Sequence, residues 1–104
     1  MANWFCTSFY MTDEDILSLI KDMSYGFEYD KDRFCGHCEL KYGIATLDME
    51  AVSKIARENK STFTIFSSEP INGVDQKWKY VNGVEVECTS NRRVQDEYKK
   101  EDLI

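Results

Sequence analysis

The sequence predicts an α+β domain of two layers: a mostly antiparallel sheet with two helices on one face. Three observations carry this expectation. Residues 13–23 and 49–59 each repeat apolar side chains at helical spacing, with one apolar stripe apiece. Most of the remaining segments are rich in aromatic and β-branched residues and are separated by turn residues. Two singly striped helices form one layer against one side of a sheet. A chain of 104 residues can hold one core without metal or disulfide support.

Residues 3–11, "NWFCTSFYM", read as the first strand. Trp4, Cys6, Ser8 and Tyr10 share one face, and Phe5, Thr7, Phe9 and Met11 the other. Both faces are largely apolar, as expected of a central strand. Thr12 is the expected N-cap of a helix, with Asp13, Glu14 and Asp15 in the first turn, where the dipole favours acids. Ile16, Leu19, Ile20 and Met23 form its stripe, and Gly26 is the expected stop. "FEYDKDR" (27–33) reads as a charged connection.

Residues 34–47 read as strand, with Gly36, Cys38, Leu40, Tyr42 and Ile44 opposite Cys35, His37, Glu39 and Lys41. Gly43 either bends this stretch or makes it a hairpin with 44–47. Asp48 caps the second helix, whose stripe is Met49, Val52, Ile55 and Ala56. Residues 61–68 are a further strand, and Pro70 and Asn72-Gly73 mark a loop.

Residues 76–88 form a hairpin. A three-residue turn, Val81-Asn82-Gly83, sets Tyr80 against Val84 and Trp78 against Val86, with Lys79 facing Glu85 and Lys77 facing Glu87. That register separates an apolar from a charge-paired face, and is preferred over a two-residue Asn82-Gly83 turn. The domain is expected to span 1–88. Residues 89–104 are expected to be a charged tail or a short helix seated on Val94 and Tyr98. The order β-α-β-(β)-α-β-β-β fits a ferredoxin-like core with an appended C-terminal hairpin, if 34–47 supplies two strands. The expected core is Ile16, Leu19, Ile20, Met23, Val52, Ile55, Phe63, Ile65, Trp78 and Val86.

Residues 1–50 hold 4 basic and 10 acidic side chains, so the whole net charge of −6 lies there. Binding to phosphate backbones needs clustered Lys and Arg. Direct nucleic-acid binding is therefore disfavoured, and a protein partner with a basic surface is allowed. The candidate binding surface is Asp13, Glu14, Asp22, Glu28, Asp30 and Asp32. Capping alone accounts for the acids of the first helical turn. The N-terminus has no basic n-region or long apolar run, and no segment approaches a membrane span. The expected compartment is the cytoplasm, where Cys6, Cys35, Cys38 and Cys88 stay reduced.

Cys35-Gly36-His37-Cys38 has the spelling of a disulfide-isomerase redox centre. Such a pair works at a helix N-terminus, where the dipole favours the thiolate. Here "ELKYG" follows and alternates as a strand. Cysteines three apart in a strand point to opposite faces and cannot form an unstrained disulfide. Zinc would need Cys35 and Cys38 on a turn, with Cys6, Cys88 or His37 completing four ligands. Cys6 and Cys88 could be antiparallel neighbours, but at the far end of the sheet from 35–38. The preferred reading is an ordinary strand with Cys38 in the core, and no metal or cofactor is expected. With one histidine, no nucleophile elbow and no glycine-rich phosphate loop, no catalytic constellation stands out.

Met1-Ala2-Asn3-Trp4 followed directly by a strand resembles the start of the YubB/Api92-type ferredoxin-like proteins of phages and plasmids. The strand-into-proline at Phe63–Pro70 and the Trp78–Gly83–Val86 hairpin are compatible with it. The chain departs from that family at Phe5, where cysteine is usual. It departs again at Ser68-Glu69-Pro70, where a Trp and paired prolines are expected. The resemblance implies a fold and a mobile-element origin, and no activity. The expected function is a small acidic, non-enzymatic binding protein, such as an inhibitor that occupies a basic site on a host nucleic-acid enzyme, as an anti-CRISPR protein does. The alternative is a thiol-disulfide or zinc module using Cys35 and Cys38. An open sheet edge also allows a homodimer.

Overall fold

The computed structural model describes residues 4–92. Its elements are β1 (Phe5–Tyr10), α1 (Glu14–Met23), β2 (Tyr25–Asp30), β3 (Cys35–Leu40), a 3-10 turn (Gly43–Thr46), α2 (Met49–Asn59), β4 (Phe63–Glu69), β5 (Val74–Val81) and β6 (Val84–Arg92). The strands form one sheet in the order β2-β3-β1-β4-β5-β6, with every neighbouring pair antiparallel. The fold is α+β, as expected. Phe9, Leu40, Ile65 and Trp78 of the strands meet Ile16, Ile20, Val52 and Ala56 of the helices in one core.

β1 is central, between β3 and β4, but the described residues cover only one of its faces. Phe5, Thr7 and Phe9 are buried, while Cys6, Ser8 and Tyr10 are exposed. Thr7 keeps its hydroxyl satisfied in the core by sharing a 2.7 Å hydrogen bond with Ser67, its cross-strand neighbour.

The cap of α1 is Asp13 rather than Thr12. Its Oδ1 accepts from the backbone N–H of Asp15 (3.0 Å) and Ile16 (3.2 Å). Its Oδ2 accepts from the Asn59 side-chain amide (3.0 Å) and from the Ser61 hydroxyl. A carboxylate has two acceptor oxygens and ties α1 to the α2–β4 connection, which one hydroxyl does less well. Ile16, Leu17 and Ile20 are buried, Leu19 is half-buried, and Met23 is exposed because the chain leaves the helix there for β2.

Gly26 does not stop the helix. It lies within β2, and residues 27–30 are strand rather than a charged connection. On this edge strand Glu28 and Asp30 face solvent, while Phe27 and Tyr29 stack on Phe9 at 5.5 and 6.4 Å. β2 is thus the hairpin partner of β3, and no second strand arises from 44–47. Residues 43–46 form the 3-10 turn, where Gln76 Oε1 accepts from the Ile44 N–H at 2.9 Å. α2 has the expected bounds and cap: Asp48 Oδ1 accepts from the Ala51 N–H at 3.1 Å.

The β5–β6 hairpin uses the two-residue turn. Asn82 and Gly83 have φ of 50° and 80°, the left-handed pair that matches strand twist. Val81 faces Val84 and Tyr80 faces Glu85; then Val86 is a bulge, and Lys79 faces Glu87. Tertiary contact selects this turn. The Gly83 N–H donates to Ser61 O at 2.9 Å, and a Cβ on Gly83 would lie 2.8 Å from the Ala56 carbonyl. Glu85 is thereby placed to accept from the Trp78 indole N–H at 2.7 Å. The expected Lys77–Glu87 ion pair still forms, at 3.2 Å.

As the bulged residue of an edge strand, Val86 stays exposed and leaves the expected core with Met23. Ile16, Ile20, Val52, Phe63, Ile65 and Trp78 are buried, and Leu19 and Ile55 pack at the rim. β6 runs past the expected boundary at residue 88 to Arg92. Met1–Asn3, Val94 and Tyr98 lie outside the described residues.

Candidate functional site

Among the described residues nothing covers the sheet face away from the helices. Its side chains form rows, because adjacent strands lie ~4.8 Å apart and paired residues point the same way. One row places Asp30, Cys35, Tyr10 and Thr64 side by side across β2, β3, β1 and β4. The next places Glu28, His37, Ser8 and Phe66 across the same strands. Tyr10 and Phe66 are 54% and 43% exposed, and Trp4 and Tyr25 meet edge-to-face at 5.1 Å. Because Cys6, Ser8 and Cys35 are small, two shallow cavities of about 440 and 570 Å³ open among these larger side chains and meet at Ser8.

The two halves of the face differ in charge. Toward β5 and β6, Lys77 Nζ lies 3.2 Å from Glu87 and 5.4 Å from the centre of the Phe66 ring, and the Ser68 hydroxyl donates to Asp75 at 2.7 Å. Lys79 stands beside Glu87 in the ladder, so acids and bases balance there. Toward β2 and β3, Glu28, Asp30 and Glu39 outnumber Arg33 and Lys41. His37 Nε2 lies 3.1 Å from Glu28, and Arg33 Nε lies 3.8 Å from Asp30. Both contacts are solvent-exposed and weak.

The six acids singled out in the sequence do not form one patch. Glu28 and Asp30 line the open face, with Asp32 following in the exposed turn after β2. Glu14 and Asp22 stand on α1, in the helical layer. Asp13 is occupied as the cap. Burial pushes its pKa up, but the bonds from Ser61, Asn59 and the Ile16 and Asp15 N–H groups outweigh that and hold it below the usual value.

Cys35 and Cys38 fall on opposite sides of β3. Cys35 lines the open-face cavity beside Tyr10, and Cys38 is buried in the core next to Leu40. Burial pushes the Cys38 thiol up to about 11, the opposite of what a nucleophilic thiolate needs. Cys6 and Cys88 are not neighbours, since β4 and β5 separate their strands. Cys6 faces Glu39 at the end of the β1–β3 ladder away from Cys35, which faces Tyr10; it lies one register step from Cys38, but on the opposite face of the sheet. Among the described residues, no three His, Cys, Asp or Glu side chains converge as metal ligands.

By their spacing Trp4, Phe9, Phe63, Phe66, Trp78 and Tyr80 read as mostly core, with some free to form an exposed aromatic patch that marks an interface; the structure exposes Trp4 and Phe66 and adds Tyr10, which that spacing does not single out. The available signal for Tyr10 was Cys6 and Ser8: small polar side chains alternating with large apolar ones mark a strand face turned away from the core. Among the described residues no helix is long and apolar enough to cross a membrane. Compared with family models, curated proteins and solved structures, the chain matches none.

Proposed function

We propose that this chain is a non-enzymatic binding protein whose partner presents a basic surface. One observation carries the reading: among the described residues a six-stranded sheet is covered on one face only, and its other face displays Tyr10, Phe66 and the Trp4–Tyr25 pair among carboxylates. Exposed aromatics on a continuous face are what protein interfaces use as anchors. The acidic first half of the chain supports a basic partner, by charge complementarity.

The proposal extends to the fold family and the biological role. The first four strands and two helices form a ferredoxin-like core extended by the β5–β6 hairpin; the antiparallel order β2-β3-β1-β4 supports this. With the resemblance to phage and plasmid proteins, the role is that of a mobile-element inhibitor acting in the host cytoplasm on a nucleic-acid enzyme. A homodimer through the β2 or β6 edge is part of the same reading, and the mass in solution tests it.

The experiment is capture from a host lysate on the immobilised chain. A partner retained at about 50 mM salt and released near 0.5 M is expected, because screening shortens the reach of surface charge. Open-face variants such as Tyr10→Ala should lose it. Turnover in a thiol-reductase assay, with no protein retained, would replace the binding reading with the thiol-disulfide one.

A further inference from the structure

We propose that the β2–β3–β1 end of the open face is a docking site for an arginine-bearing segment of a partner polypeptide. Tyr10 is the stacking platform, and Glu28 and Asp30 are the carboxylate partners. The inference rests on the proposed basic partner and names its contact chemistry.

The geometry of the rows supplies the argument. Tyr10 and Asp30 stand in one row with only Cys35 between them. Their backbones are two strand spacings apart, ~9–10 Å. Cys35 is small, so the gap between the ring and the carboxylate stays open, and all three residues line one cavity. A planar guanidinium lying on the Tyr10 ring reaches carboxylates at that edge. Stacking on an aromatic together with forked hydrogen bonding to carboxylate is the chemistry that separates Arg from Lys.

The other half of the face repeats this arrangement with its own cation. Lys77 sits over Phe66 and beside Glu87, filling that aromatic-and-acid position internally. Among the described residues no Lys or Arg lies over Tyr10. Arg33 contacts Asp30 through Nε at 3.8 Å, an exposed pair that an incoming guanidinium can displace. A nucleic-acid strand is the poorer occupant of an aromatic sheet face here. Its phosphates would meet Glu28 and Asp30 in the cavity beside Tyr10, where Arg33 is the one Lys or Arg among the described lining residues.

The test is a heteronuclear NMR titration of the ¹⁵N-labelled full chain at low salt. The probes are a short synthetic peptide bearing two arginines, its lysine analogue, and a uridine oligonucleotide. The arginine peptide should shift the amides of Tyr10, Asp30, Cys35 and His37 and bind more tightly than the lysine peptide. Tyr10→Ala should weaken it roughly five-fold, the loss expected of one exposed cation–π contact. Asp30→Asn should weaken it too, and Asp22→Asn, on α1, should not. Equal binding of both peptides refutes the arginine assignment. Peptide shifts confined to the helical layer, or an Asp22→Asn loss matching that of Tyr10→Ala, refute the site while leaving a basic partner in place. Absence of peptide binding, with or without oligonucleotide shifts on the face, overturns both the site and the basic-partner reading.

Discussion

Gly36→Ala should destabilise the protein although it adds a single methyl group to a strand. Gly36 pairs with Phe9 on one side and Tyr29 on the other, and the two rings stack nearly parallel, at 9° and 6.4 Å. A Cβ at residue 36 would lie 2.6 Å from the Phe9 ring and 2.4 Å from the Glu28 carbonyl. Neither neighbour yields easily. Phe9 is fully buried, and the carbonyl is main chain. Overpacking of this kind costs ~1–3 kcal/mol, and a clash with backbone belongs at the upper end. Against it stands a gain of about 0.5–1 kcal/mol from restricting the unfolded chain. The net loss is about 2 kcal/mol. At roughly 4–8 °C per kcal/mol for a domain of this size, Tm should fall by about 8–16 °C. Urea denaturation followed by tryptophan fluorescence reads the loss as a lower midpoint at constant slope. A variant as stable as the parent would refute the packing role and leave this glycine of Cys-Gly-His-Cys without a structural reason.

Four further outcomes follow from the same geometry. Ile20→Ala should cost ~2–5 kcal/mol by chemical denaturation, since its side chain is fully enclosed, whereas Val86→Ala should cost under about 0.5 kcal/mol. Cys38→Ser should destabilise by ~1–3 kcal/mol and Cys35→Ser hardly at all; equal large losses would mean that the two thiols act together. Asp13→Ala should cost ~1–2 kcal/mol at neutral pH through the lost cap. Because the folded pKa of Asp13 is depressed, its contribution is fully present above the unfolded value near 3.8 and fades as pH falls through the lower folded value. The gap between parent and variant should therefore narrow below about pH 4 in denaturation curves, and a gap that stays constant would remove the carboxylate from the account.

Local signals were enough for the helices. The apolar spacing of Ile16 and Ile20, and of Val52 and Ala56, together with Asp48 before the second stripe, is written within single segments. The opposite-facing cysteines were legible for the same reason, because alternation along one strand needs no partner. The choice of cap depended on more: Asp13 prevails over Thr12 through Asn59 and Ser61, more than forty residues away. The β5–β6 register had the same source. Local charge pairing favoured a three-residue turn, but the fit of Gly83 against the end of α2 selects two.

The candidate surface was the least legible part. Alternation divides Cys6, Ser8 and Tyr10 from Phe5, Thr7 and Phe9, but it does not say which set faces water when both contain aromatics. The acids were visible as a composition, and only the fold divides them: Asp13 into a cap, Glu14 and Asp22 onto a helix, Glu28 and Asp30 onto the open face beside Tyr10. The sequence by itself determined an α+β chain with two helices, the division of Cys35 from Cys38 and the excess of negative charge, because these depend on neighbours along the chain. Which hairpin β3 joins, which turn closes β5–β6 and which residues share the open face were decided by tertiary structure, because strand order and register bring together residues that sequence spacing does not relate.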